Sequence, residues 1–120
     1  MELPFNMTAP RPKLDDGETI VCSAPGLRRK GIFGNRYGEL HVTDRRVVFV
    51  KAIMKGVIAA AVNAKGAAPM LTFDRKAVTG EKVAVKKQHA LVLTAGGVSE
   101  RIMLAEAAID QILGLLRPAS

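Results

Sequence analysis

The 120-residue chain fits one small domain, and its 48% of hydrophobic residues is enough for a core. Aromatic residues make up only 4% and tryptophan is absent, so the core must be built from aliphatic side chains. Eighteen Lys and Arg residues against eleven Asp and Glu give a net charge of +7, which either favours an anionic partner or serves solubility alone.

A single cysteine excludes an intramolecular disulfide, and Cys22 lies in a strand-like run where a buried thiol is expected. The N-terminal residues lack the basic start and the continuous apolar core of a secretory signal. The longest apolar region, 47–62, is interrupted by lysines and is shorter than the roughly 20 residues of a membrane-spanning helix. We therefore expect a cytoplasmic protein, either free or peripheral to the membrane.

Residues 1–16 hold three of the six prolines and are expected to form an N-terminal tail or an extended edge segment. The domain is then expected over 17–120, with a first strand at 18–23. Glycines and cations punctuate 24–36, which predicts a loop with room for a short strand at 31–33. This loop would hold three consecutive cations, Arg28, Arg29 and Lys30.

The stretch 38–50 predicts two strands joined by a tight polar turn. Apolar and polar residues alternate over 39–42, which is the two-residue period of a half-buried strand. Residues 43–45 interrupt the apolar pattern, and 47–50 resumes it with β-branched and aromatic side chains.

Alanines and helical spacing of larger apolar residues predict a short amphipathic helix near 53–63. Its apolar face begins with Ile53, Val57 and Ile58, and Lys51 and Lys55 flank that face. We expect the face to pack on the rest of the domain or on another copy of the protein. The alternative is a helix that lies in a lipid interface with its lysines at the edges.

The second half of the chain predicts strands at 70–73 and 81–86, then a hairpin of 90–94 and 98–104 around two adjacent glycines. A helix is expected over 105–116, where apolar residues recur at helical spacing before Pro118. Because this stripe includes Ile112 and Leu113, both side chains are expected to be buried in the core.

One set of residues carries a family resemblance: Gly38, Leu40, Thr43, Arg46 and Phe49. Their spacing resembles the second and third strands of GRAM and bacterial pleckstrin-homology-like domains, and the resemblance extends over roughly residues 17–117. It implies a barrel of two near-orthogonal antiparallel sheets with about seven strands, closed at one end by a C-terminal helix, with the helix near 53–63 as an insertion. It also implies a non-enzymatic module that engages a protein partner or an anionic membrane surface.

The candidate anion- or lipid-binding residues are basic: Arg28, Arg29, Lys30, Lys51 and Lys55. The candidate interfacial apolar residues are Ile53, Val57 and Ile58. For the first three cations an ordinary solvated loop is the simpler interpretation. His41 and His89 have no ligand-type residue at metal spacing beside them, so no catalytic residue, metal or cofactor is expected.

Two alternatives remain open at this point. The basic loops could bind nucleic acid, although one tyrosine and four phenylalanines offer few platforms for base stacking. A small-ligand carrier or an enzyme with a pocket in the barrel is the second alternative. A homo-oligomer is compatible with each of these functions.

Overall fold

The computed structural model describes residues 1–29 and 34–118. Within that part of the chain the elements are β1 (Met7–Thr8), β2 (Ile20–Arg29), β3 (Arg36–Thr43), β4 (Arg46–Lys51), β5 (Ile53–Met54), α1 (Val57–Lys65), β6 (Leu71–Asp74), β7 (Thr79–Val85), β8 (Gln88–Ala95), β9 (Val98–Met103), α2 (Glu106–Leu113) and β10 (Arg117–Pro118). Strand dominates, so the expected mainly β class is confirmed.

Eight strands form one sheet in the order β10-β7-β8-β9-β2-β3-β4-β6, while β1 and β5 form a separate two-stranded sheet. Every pairing in the large sheet is antiparallel except that of β10 with β7. The two predicted strands around the turn at residues 44–45 are confirmed as β3 and β4. The hairpin predicted around Gly96 and Gly97 is also confirmed, and both glycines have positive φ there.

The expected barrel is not closed, because among the described residues no ladder joins the outer strands β6 and β10. β6 is only four residues long and pairs with β4 alone. The chain leaves it through a turn in which the N–H groups of Ala77 and Val78 donate to the carbonyl of Asp74. β10 then occupies the outer edge of β7 that β6 would need for closure.

The loop expected over 24–36 is wrong in its first half, since β2 continues to Arg29. β3 pairs along β2 up to Arg28, and β9 joins the other edge from Leu27 onwards. At Pro25, β2 pairs with β3 alone, because the pairing with β9 begins only at Leu27. One edge of the strand is therefore free there, which allows a residue without a backbone N–H. Lys30 and the short strand expected at 31–33 lie outside the described residues.

Two glycines in register, Gly26 on β2 and Gly38 on β3, allow neighbouring side chains to lie directly on the backbone. A Cβ at Gly26 would be 2.5 Å from Cδ2 of Leu104, and one at Gly38 would be 2.6 Å from Cζ of Phe49. The glycine at position 38 thus has a packing reason, since the backbone carbonyl of Val50 and the ring of Phe49 occupy the place that a side chain would need.

The core lies between the inner face of the large sheet and α2. Phe49, Leu91 and Ile102 of the sheet are fully buried, together with Ile109 and Ile112 of α2. The helix ends at Leu113, before the expected end at 116. The expectation of burial is confirmed for Ile112, whereas Leu113, the last residue of the helix, is only half-buried.

The helix expected near 53–63 begins later, as α1 at Val57. Ile53 and Met54 are instead the strand β5, which pairs with Thr8 and Met7. Gly56 separates the two elements with a φ of 146°, a backbone conformation outside the helical region that suits glycine.

The N-terminal segment and α1 lie against the outer face of β3 and β4. Val48 and Val50 alternate with core residues along β4, yet both are buried. The N-terminal segment is attached by backbone hydrogen bonds. The N–H of Lys13 donates to the carbonyl of Ala67, and the N–H of Ala67 donates to the carbonyl of Arg11. Pro10, Pro12 and Ala59 are buried in the same layer.

An ion pair also ties the N-terminal segment to the large sheet. Glu18 is buried, and its carboxylate accepts two hydrogen bonds from Arg46, at 2.8 Å from Nε and 2.9 Å from Nη2. It accepts a third from the hydroxyl of Thr43 at 2.6 Å and a fourth from the backbone N–H of Asp15 at 2.9 Å. These bonds, with that to Arg46 foremost, lower the pKa of Glu18 from 4.5 to about 2.

Candidate interaction surface

Four large apolar side chains near the start of α1 remain in solvent. They are Phe5, 90% exposed, Met54, 68%, Val57, 88%, and Ile58, 77%. We call these four residues the apolar patch. Single exposed apolar residues are ordinary on protein surfaces, whereas a cluster of large ones commonly marks an interaction site.

The backbone brings the apolar patch together from two distant parts of the sequence. β1 pairs with β5, with Met7 opposite Met54. One residue further along each strand, the N–H of Lys55 donates to the carbonyl of Asn6 at 3.0 Å. Phe5 therefore lies beside the turn that leads into α1, a position that its place near the N-terminus does not indicate.

The α1 helix buries little of itself against the sheet. Among its residues only Ala59 is fully buried, while Val57 and Ile58 point away from the core. Of the two packing partners expected for the apolar face, the rest of the domain does not cover these two candidates, and another copy of the protein stays a prediction. Ile53 differs from them, because it is half-buried in β5.

The sequence on either side of the apolar patch is basic and free of acidic residues, and the nearest carboxylate across the strands is that of Glu39, opposite Val50. No Asp or Glu occurs in the sequence between Asp44 and Asp74, and none between Glu2 and Asp15. The candidates Lys51 and Lys55 are both exposed. Within the described part of the chain neither lysine forms an ion pair, so their charges are available to a partner.

A groove adjoins the apolar patch between α1 and the outer face of β4. It has a volume of about 510 Å³, and Pro10 of the N-terminal segment contributes to one wall. The remaining lining is largely aliphatic and includes Val50, Ile53, Met54, Ile58, Val62 and Ala67.

Arg28 differs from its expected role as a free loop cation. It lies in β2, and its guanidinium binds the carboxylate of Glu100 on β9 at 3.0 Å and 2.9 Å. Both side chains are only 12% exposed, so the positive charge of Arg28 is neutralised within the fold. Arg29 is exposed opposite Arg101, while Lys30 is outside the described residues. The three cations are therefore not one solvated loop.

A polar cluster of Ser23, Glu39 and His41, which the sequence patterns did not reveal, lies on the outer face of β3 and the adjoining part of β2. Nδ1 of His41 is 2.6 Å from the hydroxyl of Ser23, a cross-strand partner on β2. Its Nε2 lies 3.2 Å from Oε1 of Glu39, but the angle is unsuitable for a hydrogen bond. Burial lowers the pKa of His41 to about 4 and raises that of Glu39. Cross-strand register is the signal that could have linked Ser23 to His41.

Two further residues, Cys22 and His89, belong to types that often carry chemistry. Cys22 is buried as expected, and burial raises the pKa of its thiol. His89 is half-buried, with Nε2 3.2 Å from Glu106. Across 1–29 and 34–118, no three His, Cys, Asp or Glu residues are grouped so that they could hold a metal ion. Neither helix in these ranges has the length and apolarity needed to cross a membrane.

Comparison with known proteins adds no family assignment. A scan of protein-family models gives no match to this chain, and a search of curated proteins gives none either.

Proposed function

We propose that this protein is a non-enzymatic interaction module of the pleckstrin-homology or GRAM type. The strand order supports this proposal, because β2, the first long strand, lies between β3 and the last strand of the meander, β9. α2 follows β9 directly and packs over β7 and β8. An incomplete barrel made of two sheets that share β2, with α2 against one side, is the architecture we propose.

We further propose that the partner is an anionic membrane surface, bound peripherally on its cytoplasmic side. The observation that carries this proposal is the apolar patch with exposed Lys51 and Lys55 beside it and no acidic residue in the surrounding sequence. Interfacial segments use this combination, with apolar side chains in the headgroup region and lysines against lipid phosphates.

Apolar burial supplies the larger share of the binding free energy expected at this surface. Full burial of one Val, Ile, Met or Phe side chain contributes about 1.5–3 kcal/mol, and the patch holds four such side chains. Each lysine near an anionic surface adds about 1 kcal/mol. The apolar part resists salt and the lysine part is screened by it, so binding is expected to weaken with salt without vanishing.

Sedimentation with anionic and neutral vesicles tests the proposal through Val57→Asp. Val57 is the first residue of α1, where an acidic side chain favours the helix dipole, so the fold should be preserved. Loss of one inserted valine alone predicts about tenfold weaker binding to anionic vesicles. Val98→Asp is the matched control, since Val98 is 55% exposed at the β8–β9 hairpin, and it should bind like the wild type.

A second variant, Lys51→Gln with Lys55→Gln, tests the charge contribution. At low salt it should bind anionic vesicles about 30-fold more weakly, and the difference should shrink as salt rises. No retention of the wild type by anionic vesicles at low salt would overturn the membrane proposal and favour a protein partner at the same patch. A steep salt dependence on heparin with an unaffected Val57→Asp variant would favour nucleic acid instead.

A further inference from the structure

The groove between α1 and β4 has the volume of a small-molecule site. Its volume of about 510 Å³ lies within the about 300–1,000 Å³ that is usual for ligand pockets. The N-terminal segment fixes one wall, because Pro10 lines the groove and the backbone hydrogen bonds of Ala67 with Arg11 and Lys13 hold that segment in place. The groove is therefore a formed feature of the fold rather than a gap beside a loose helix.

The chemistry of the lining specifies the kind of ligand. Apart from Lys51, the described residues that line the groove are uncharged, and most of them are aliphatic. An elongated hydrocarbon matches such walls, because it makes no demand for hydrogen bonds there. A negative head group would meet the ammonium group of Lys51 on the exposed side.

We propose that this groove binds a single long acyl chain that carries an anionic head group. The proposal rests on the membrane function above, because the groove and the apolar patch share Met54 and Ile58. Through these two residues the groove opens onto the face that meets the bilayer, so a chain can enter from the membrane. The same groove accepts the chain as a free fatty acid.

The test uses cis-parinaric acid, a fluorescent long-chain fatty acid, titrated into the full chain below its micelle concentration. The wild type should bind it saturably. Ala68→Trp fills the groove from an exposed position, and it should abolish this binding. Ala61→Trp places the same side chain on an exposed position of α1 that does not line the groove, and it should bind the probe like the wild type.

The role of Lys51 is tested with the matching fatty alcohol as competitor. Lys51→Gln should weaken binding of the fatty acid about fivefold and leave competition by the alcohol unchanged. Equal binding of the probe by wild type and Ala68→Trp would overturn the proposal, as would saturable binding by neither protein.

Vesicle sedimentation separates this proposal from the membrane function. Ala68→Trp should sediment with anionic vesicles like the wild type, whereas Val57→Asp should bind them about tenfold more weakly, because Val57 belongs to the apolar patch and Ala68 does not. Vesicles that contain a fluorescent anionic lysophospholipid, which has one acyl chain, distinguish the sources: transfer of this intact lipid to wild type but not to Ala68→Trp indicates uptake from the bilayer. Probe binding without this transfer indicates that the groove takes the free fatty acid.

Discussion

The hydrogen-bonded carboxylate of Glu18 predicts a defined loss of stability in acid. Its pKa is 4.5 in an exposed reference state and about 2 in the fold, mainly because Arg46 binds the ionised form. The difference of about 2.5 pKa values corresponds to about 3 kcal/mol of free energy of unfolding. Since the folded pKa is the lower one, this contribution is complete above pH 4.5 and is lost as the pH falls towards 2.

Denaturant unfolding of wild type and Glu18→Gln between pH 7 and pH 2 measures this contribution. The glutamine keeps the side-chain shape but cannot ionise, so the variant should be less stable by about 3 kcal/mol at pH 7 and nearly equal to the wild type at pH 2. Glu81→Gln on the exposed side of β7 is the control for general charge effects. A stability difference between wild type and Glu18→Gln that stays constant over this pH range would refute the reasoning.

The remaining predictions concern buried positions of the sheet and of α2. Burial lowers the pKa of His41 from 6.5 to about 4, so the free energy of unfolding of the wild type should decrease by about 3 kcal/mol as the pH falls from 6.5 to 4. His41→Gln should not show this decrease in denaturant unfolding. Gly38→Ala should lower stability by about 1–3 kcal/mol in the same assay, since the new methyl group meets the backbone carbonyl of Val50 and the ring of Phe49. Ile112→Ala should lower the free energy of unfolding by about 2–5 kcal/mol, and Leu113→Ala should lower it distinctly less, because Leu113 is only half-buried. Equal melting temperatures for these two variants would contradict the described packing of α2.

Much of the local structure follows from the sequence by itself. The alternation over 39–42 and the β-branched run after the turn specify β3 and β4, because a two-residue period leaves one face for the core. The glycines at 96 and 97 specify a hairpin, because the turn requires positive φ. The lack of acidic residues around the lysines at 51 and 55 is also a property of sequence alone.

The tertiary structure decided which of these residues are free to act. The sequence shows that Arg28 is a cation but not what it binds. The register of β2 with β9 places its guanidinium against the carboxylate of Glu100, which neutralises its charge. The exposed apolar patch needs Phe5 beside α1, which depends on the pairing of β1 with β5 across more than forty residues. Helical spacing places Val57 and Ile58 on one side of a helix, yet it does not say whether that side faces the sheet. Such contacts arise between segments far apart in sequence, so local periodicity contains no information about them.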